Sequence, residues 1–229
     1  MIATLPRSGS TYFAIQLWRT GVLGAPMEYF NFGLMPQILK RFGFNEKDPT
    51  ALSRKQMRRY VRLLKSLRTS PNGTFGYKMF MSTFRDMLSY FPDVYDEIQP
   101  DIILFLTRKD LIGQAISYSR ASMTKMWFAG DSSPFEASYD YEHIKSSLDR
   151  IEMQHPFWEG VFKQAKVDPI RVSYESLMDS SQDVVRDLLH EMGIKPHVKE
   201  LAIPLIDKQS DEVTEEWRSR FIEDGKRLG

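Results

Sequence analysis

A short apolar run, Ile2-Ala3-Thr4-Leu5, breaks at once into Pro6-Arg7-Ser8-Gly9-Ser10-Thr11, and Tyr12, Ile15, Leu17 and Trp18 then recur at about helical spacing. Few folds can use a strand that passes through a tight Gly/Ser-rich turn directly into a helix. The exposed N–H groups of the first helical turn and the positive end of the helix dipole point at one spot, which makes an anion site. Arg7 adds a planar, fork-shaped donor suited to phosphate or sulfate. The loop has no Lys before Ser/Thr, so it is not the GxxxxGK[ST] loop of ATPases and GTPases. Enzymes that handle a γ-phosphate use that Lys together with Mg²⁺. A loop with Arg in place of this pair suits a donor handled without a metal.

Further strand candidates follow at 75–81, 102–107 and 170–173, after the first at 2–5. Helical patterns cover 10–20, 53–66, 111–125, 141–164 and 182–192. Strands separated by helices predict βαβ units and a parallel sheet covered on both faces, a three-layer α/β/α domain over 1–229. Ile102-Ile103-Leu104-Phe105-Leu106 is continuously apolar, as a central parallel strand should be. Ligands of such sheets bind beyond the C-terminal strand ends. Arg7, Arg108 and Tyr174-Glu175 fall at those ends, so the first two of these ends each deliver an arginine to one rim.

The 229 residues carry a net charge of +1, which predicts no bulk attraction to nucleic acid or membrane. With no cysteine, disulfides, thiolate chemistry and Cys-based zinc sites are excluded. The four histidines are scattered without a metal-binding pair, and the acidic residues show no metal spacing. No apolar run reaches membrane-spanning length, and a chain that starts inside a strand is expected to lack a cleaved leader. These readings predict a cytoplasmic protein. The stretch from Ser53 to Lys65 is a strongly basic amphipathic helix. An anion or membrane-surface patch is one reading; a solvated face over an ordinary core stripe of Met57, Val61 and Leu64 is favoured.

The second chemical signal is Phe105-Leu106-Thr107-Arg108-Lys109-Asp110-Leu111-Ile112-Gly113-Gln114-Ala115-Ile116-Ser117. Arg108 ends a strand, where it can grip an anion bidentately. Gln114 and Ser117 are one turn apart and can face one ligand. Alone, Asp110 also reads as a helix N-terminal charge with Arg108 as its surface partner.

Taken together, the two signals resemble the sulfotransferases, most nearly the bacterial trehalose 2-sulfotransferase-type branch. The matching pieces are Pro6 to Thr11, Thr20-Gly21 through Gly24-Ala25-Pro26-Met27-Glu28-Tyr29-Phe30, Phe75-Gly76-Tyr77-Lys78-Met79, and Arg108-Lys109-Asp110 with Gln114-Ala115-Ile116-Ser117. Trp127, Arg171 to Leu177, Met192-Gly193-Ile194 and Gln209 to Trp217 complete the match. The resemblance implies the P-loop nucleotide-kinase-like sulfotransferase fold. It implies 3′-phosphoadenosine 5′-phosphosulfate (PAPS) as donor, no metal, a hydroxyl acceptor on a sugar, glycolipid or related small molecule, and a homodimer. It places Arg7, Ser8, Gly9, Ser10 and Thr11 around the 5′-phosphosulfate, with Arg7 also catalytic, and Arg108 and Ser117 at the 3′-phosphate. Arg108 and Ser117 stand nine residues apart, where many sulfotransferases have eight. Glu28 falls at the family's general base; the other reading is a capping or salt-bridging Glu. Lys78 reads either as a reach to the sulfuryl group or as a surface lysine, and Trp127 either as a stacking surface for a sugar ring or as partial core. Lys208-Gln209-Ser210-Asp211, with Trp217 and Arg220, lies where the family folds a late loop over the nucleotide. The Arg-Lys-Gly pattern of eukaryotic cytosolic members is missing there, so Lys208 and Arg220 receive no role. Segments 31–52 and 128–140 are expected to line the acceptor mouth. The rivals are a small-molecule or nucleoside kinase and a non-catalytic nucleotide-binding relative.

Overall fold

The computed structural model describes residues 1–127, 132–195, 201, 203 and 212–228. Among them, β1 (Ile2–Thr4), β2 (Lys78–Met79), β3 (Leu104–Thr107) and β4 (Ile170–Ser173) form one parallel sheet in the order β2-β1-β3-β4. Ala3 pairs with Met79 on one side and Phe105 on the other, and Phe105 pairs with Arg171. The two interior strands, β1 and β3, are apolar up to a closing threonine, because both of their faces are covered. Successive side chains alternate between two cores, as the pleat requires. Ile2, Leu104 and Leu106 join Phe13, Leu17, Leu177 and Leu188 beneath α1 (Ser10–Arg19) and α9 (Tyr174–Glu191). Ala3 and Phe105 join the opposite and larger core, with Phe30, Tyr60, Phe84, Trp158 and Trp217.

The larger core is built by α2 (Met35–Arg41), α3 (Arg54–Arg68), α4 (Met81–Tyr90), α5 (Pro92–Asp96), α6 (Leu111–Thr124), α7 (Tyr141–Glu152), α8 (Gln154–Ala165) and α10 (Glu212–Leu228). The expected α/β/α layering is therefore present. No helix among the described residues is long and apolar enough to cross a membrane.

Several boundaries differ from the sequence expectation. The strand expected over 75–81 shrinks to two residues. Gly76 passes so close to the backbone that an added Cβ would lie 2.7 Å from the Leu23 carbonyl oxygen, Phe75 bridges back to Thr69, and Met81 already opens α4. The helix expected over 141–164 breaks at Met153 into α7 and α8, with Pro156 in the first turn of α8, where its missing N–H costs no hydrogen bond. The last interior helix starts at Tyr174, eight residues early, capped by Ser173 and kinked at Ser180. The basic helix α3 opens with a capping box between Ser53 and Gln56. Its Met57, Tyr60, Val61 and Leu64 are buried, while Arg58 pairs with Asp93 and Glu97 on α5 and the residue after it. That is the solvated-face reading, with acid supplied by a neighbouring helix.

Candidate active site

The β1–α1 loop is held tightly from beneath. Ser8 is fully buried: its hydroxyl donates to the Leu5 carbonyl at 2.8 Å and lies 2.7 Å from Thr4 Oγ1. Its side chain therefore serves the strand, and only its backbone is left for a ligand. Buried Gln114 on α6 donates from Nε2 to the Pro6 carbonyl at 2.6 Å. Gln114 thus braces the loop instead of sharing a ligand with Ser117. Two residues of the loop are left-handed, Arg7 at φ 60° and Gly9 at φ 77°. Such conformations in a non-glycine cost energy and persist where the surroundings fix them. At Gly9 a Cβ would lie 2.5 Å from the ring of Tyr174, so glycine is required for contact as well as for angle.

Arg7 leaves this loop toward α6. Its Nε donates to Ser117 Oγ at 2.9 Å and its Nη1 to the Trp127 carbonyl at 2.9 Å. Burial, then the nearby charges of Arg108 and Arg120, push the guanidinium's pKa down. A half-sequestered cluster of like charges is relieved by an anion. Arg108, one strand over, lies 4.7 Å from the centre of the Tyr174 ring and donates from Nη2 to Asp110 Oδ2 at 2.9 Å. Its Nε is buried without a hydrogen-bond partner among the described residues. Tyr174 thus packs on both Gly9 and Arg108, and Glu175 accepts hydrogen bonds from the Lys109 and Asp110 N–H groups. The start of α9 fixes the two arginine loops to each other. Ser117 Oγ accepts from Arg7 of the anion loop, so the structure sets Ser117 beside Arg7, where the resemblance pairs it with Arg108.

On the other side of the loop stands Lys78, the first residue of edge strand β2. Its side chain is 2 % exposed, which removes the surface-lysine reading. Nζ lies 3.2 Å from both Ser10 Oγ and Thr11 Oγ1 and 3.0 Å from Glu28 Oε1. Burial lowers the pKa of Lys78, and Glu28 opposes that shift. The second oxygen of Glu28 accepts from Asn31 Nδ2 at 2.9 Å. Glu28 follows a backbone bridge between Met27 and Tyr77, and the next residue, Tyr29, is locked by its hydroxyl to the Ala25 carbonyl. These contacts bring the expected base to the anion loop. A cavity of about 230 Å³ opens directly on Glu28 and Lys78, walled by Met27, Leu34 and Ile38 with Gln37 and Arg41 also lining it. Part of segment 31–52 lines it, as expected. Of segment 128–140, residues 128–131 lie outside the described residues.

Trp127 is 38 % exposed and packs edge-on to Tyr118, between the two sequence readings. Lys208 to Asp211 lie outside the described residues. Arg220 is on α10, stacked 3.9 Å from the ring of Tyr139 and paired with Glu216. It is Arg218, which the motif reading passed over, that reaches the rim. Lys78 opens β2, and its place under the anion loop comes from the pairing of β2 with the interior β1. Among the described residues no cluster of three or more His, Asp or Glu is placed to hold a metal ion.

The arrangement is a cation-lined anion cradle whose floor ammonium also holds a carboxylate facing a cavity. The family model described as Stf0 sulphotransferase matches residues 1–224. Two relatives named trehalose 2-sulfotransferase, from Mycolicibacterium smegmatis and Mycobacterium tuberculosis, are each 26% identical over all of this chain and 96% of their own length. Among solved structures, a sulfotransferase domain from the curacin biosynthetic pathway is similar with a TM-score of 0.47 and 14% identity, covering 96% of each chain.

Proposed function

The chain belongs to the Stf0 sulfotransferases, and from that premise we propose that it moves a sulfuryl group from PAPS to a hydroxyl of a carbohydrate or related small molecule, with Glu28 as general base. The observation that carries this is the single buried ammonium of Lys78, which touches both the anion loop at Ser10 and Thr11 and the carboxylate of Glu28. Donor cradle and base are thereby held at one place. The residues fit a polyanionic nucleotide: burial and then the charges of Arg108 and Arg120 push the pKa of Arg7 down, and the buried Arg108 Nε lacks a hydrogen-bond partner among the described residues.

The donor supplies a sulfuryl group on a phosphate leaving group. Glu28 takes the proton of the acceptor hydroxyl as its oxygen bonds to sulfur. Arg7, Lys78 and the N–H groups of the loop hold the charge that collects on the released phosphate oxygen, the place where fixed donors act most strongly. The relatives named for trehalose support a sugar acceptor. The cavity at Glu28, about 230 Å³, opens on the carboxylate that would take the acceptor's proton.

The test is Glu28→Gln, which keeps shape and hydrogen bonding but cannot take a proton. Turnover with PAPS should fall by roughly 10²–10⁴ while affinity for adenosine 3′,5′-bisphosphate stays near that of the parent protein. That affinity should survive EDTA. Strict Mg²⁺ dependence with ATP preferred would replace this reading with a kinase, and turnover within a few-fold of the parent would make Glu28 structural.

A further inference from the structure

Asp110 stands between two arginines from distant parts of the chain. Arg218 of α10 donates from Nη1 to Oδ1 at 2.9 Å and from Nη2 to Oδ2 at 2.7 Å. Arg108 shares Oδ2, and the Gly113 N–H caps Oδ1 at 3.0 Å. The cluster is filled: a Cβ at Gly113 would overlap Asp110 Oδ2 and come within 2.6 Å of Arg218 Nη2 and 2.8 Å of Arg108 Nη2. Two guanidiniums thus meet on one carboxylate, and Arg218 also reaches Glu215 Oε2 through Nε at 3.4 Å.

An aspartate two residues from an arginine tends to take it in a two-pronged pair, and that would cancel the charge an anion needs. Here Arg218 occupies both carboxylate oxygens, and Arg108 keeps a single bond to one of them. The rest of the Arg108 guanidinium lies over Tyr174, beside Gly9. The same end of α10 touches another cation of the rim: Arg120 Nη1 donates to Thr214 Oγ1 at 3.0 Å and sits 5.9 Å from the Trp217 ring.

We propose that Arg218 is a positioning residue for the donor: by occupying Asp110 it keeps Arg108 available to the 3′-phosphate. This rests on Arg108 as the reader of the 3′-phosphate, as the family resemblance implies.

Calorimetry with adenosine 3′,5′-bisphosphate and with AMP, which lacks the 3′-phosphate, tests it on the full chain. Arg218→Met should weaken the bisphosphate about tenfold or more and AMP by less than about twofold. Asp110→Asn keeps an acceptor for the helix cap but has no charge to capture Arg108. The double variant D110N/R218M should therefore recover most of the lost bisphosphate affinity, which a purely structural defect would not do. Equal losses for both nucleotides, no loss at all, or a double variant no tighter than R218M would each overturn the proposal. If R218M does not melt cooperatively, Arg218→Lys replaces it: the charge stays, the fork goes, and a smaller loss confined to the bisphosphate is expected, with equal losses again overturning it. A parent protein that binds both nucleotides equally overturns the Arg108 assignment itself, a result distinct from the other outcomes.

Discussion

Arg7 and Arg108 leave the C-terminal ends of adjacent interior strands and point at one rim, yet they are held in opposite ways. Arg7 is fixed by neutral partners, a serine hydroxyl and a backbone carbonyl, on a backbone in the left-handed region. Arg108 sits on relaxed backbone beside a carboxylate that it shares with Arg218. Burial and the charges of Arg108 and Arg120 weigh on the guanidinium of Arg7. A shared carboxylate spends part of the charge of Arg108 and gains fixed geometry. Under the proposed function, Arg7 in the anion loop meets charge that develops during transfer, and Arg108 meets a permanent charge that must be recognised.

Three measurements press on this contrast. The largest effect should come from Arg7→Met, with turnover down about 10²–10³ and a smaller change in nucleotide affinity, because a preorganised donor at the developing charge is lost. A loss confined to affinity would erase the distinction between the two arginines. Next, Arg108→Ala should cost about 2–4 kcal/mol for adenosine 3′,5′-bisphosphate and barely alter adenosine 5′-phosphosulfate, as calorimetry on both will tell. The smallest effect concerns acid. Burial works against the ionised Asp110, but hydrogen bonds from Arg218, Gly113 and Arg108 prevail and hold its carboxyl well below the usual carboxylate range. A folded pKa below the unfolded value of about 3.9 contributes stability above that pH and loses it as pH falls further. Melting curves should show the parent losing stability more steeply below about pH 4 than Asp110→Asn does. Identical slopes would mean that the carboxylate does not carry the cluster.

Those arginines were the legible part of the site, because each follows an unbroken apolar strand and opens a helix. The fold was legible for the same reason: interior strands are apolar on both faces, and β3 and β4 fall where the pattern puts them. Lys78 was ambiguous since a lysine at a strand end says nothing of its own burial; only the pairing of β2 with β1 carries it under the anion loop. Arg218 was invisible because its partner is 108 residues away and no local pattern announces such a contact. The break between α7 and α8 was readable from Pro156, whose missing N–H cannot continue a helix, and the apolar periodicity on either side masked it.

The tyrosines around Glu28 have a use of their own. Tyr29, Tyr60 and Tyr77 are buried and each donates its hydroxyl to a backbone carbonyl, of Ala25, Tyr29 and Ile98 in turn. Burial pushes Tyr29 up to about 12 and drives Tyr60 and Tyr77 higher still. An unfolded phenol ionises near 10, so folding restrains these three from ionising and loses stability as the pH climbs past about 10. In an ultraviolet titration a delayed, cooperative tyrosinate step will accompany loss of the packing that buries these three, together with Tyr95, which burial also pushes up to about 12. The chain thus carries an intrinsic optical gauge of its packed interior, readable with neither donor nor acceptor in hand.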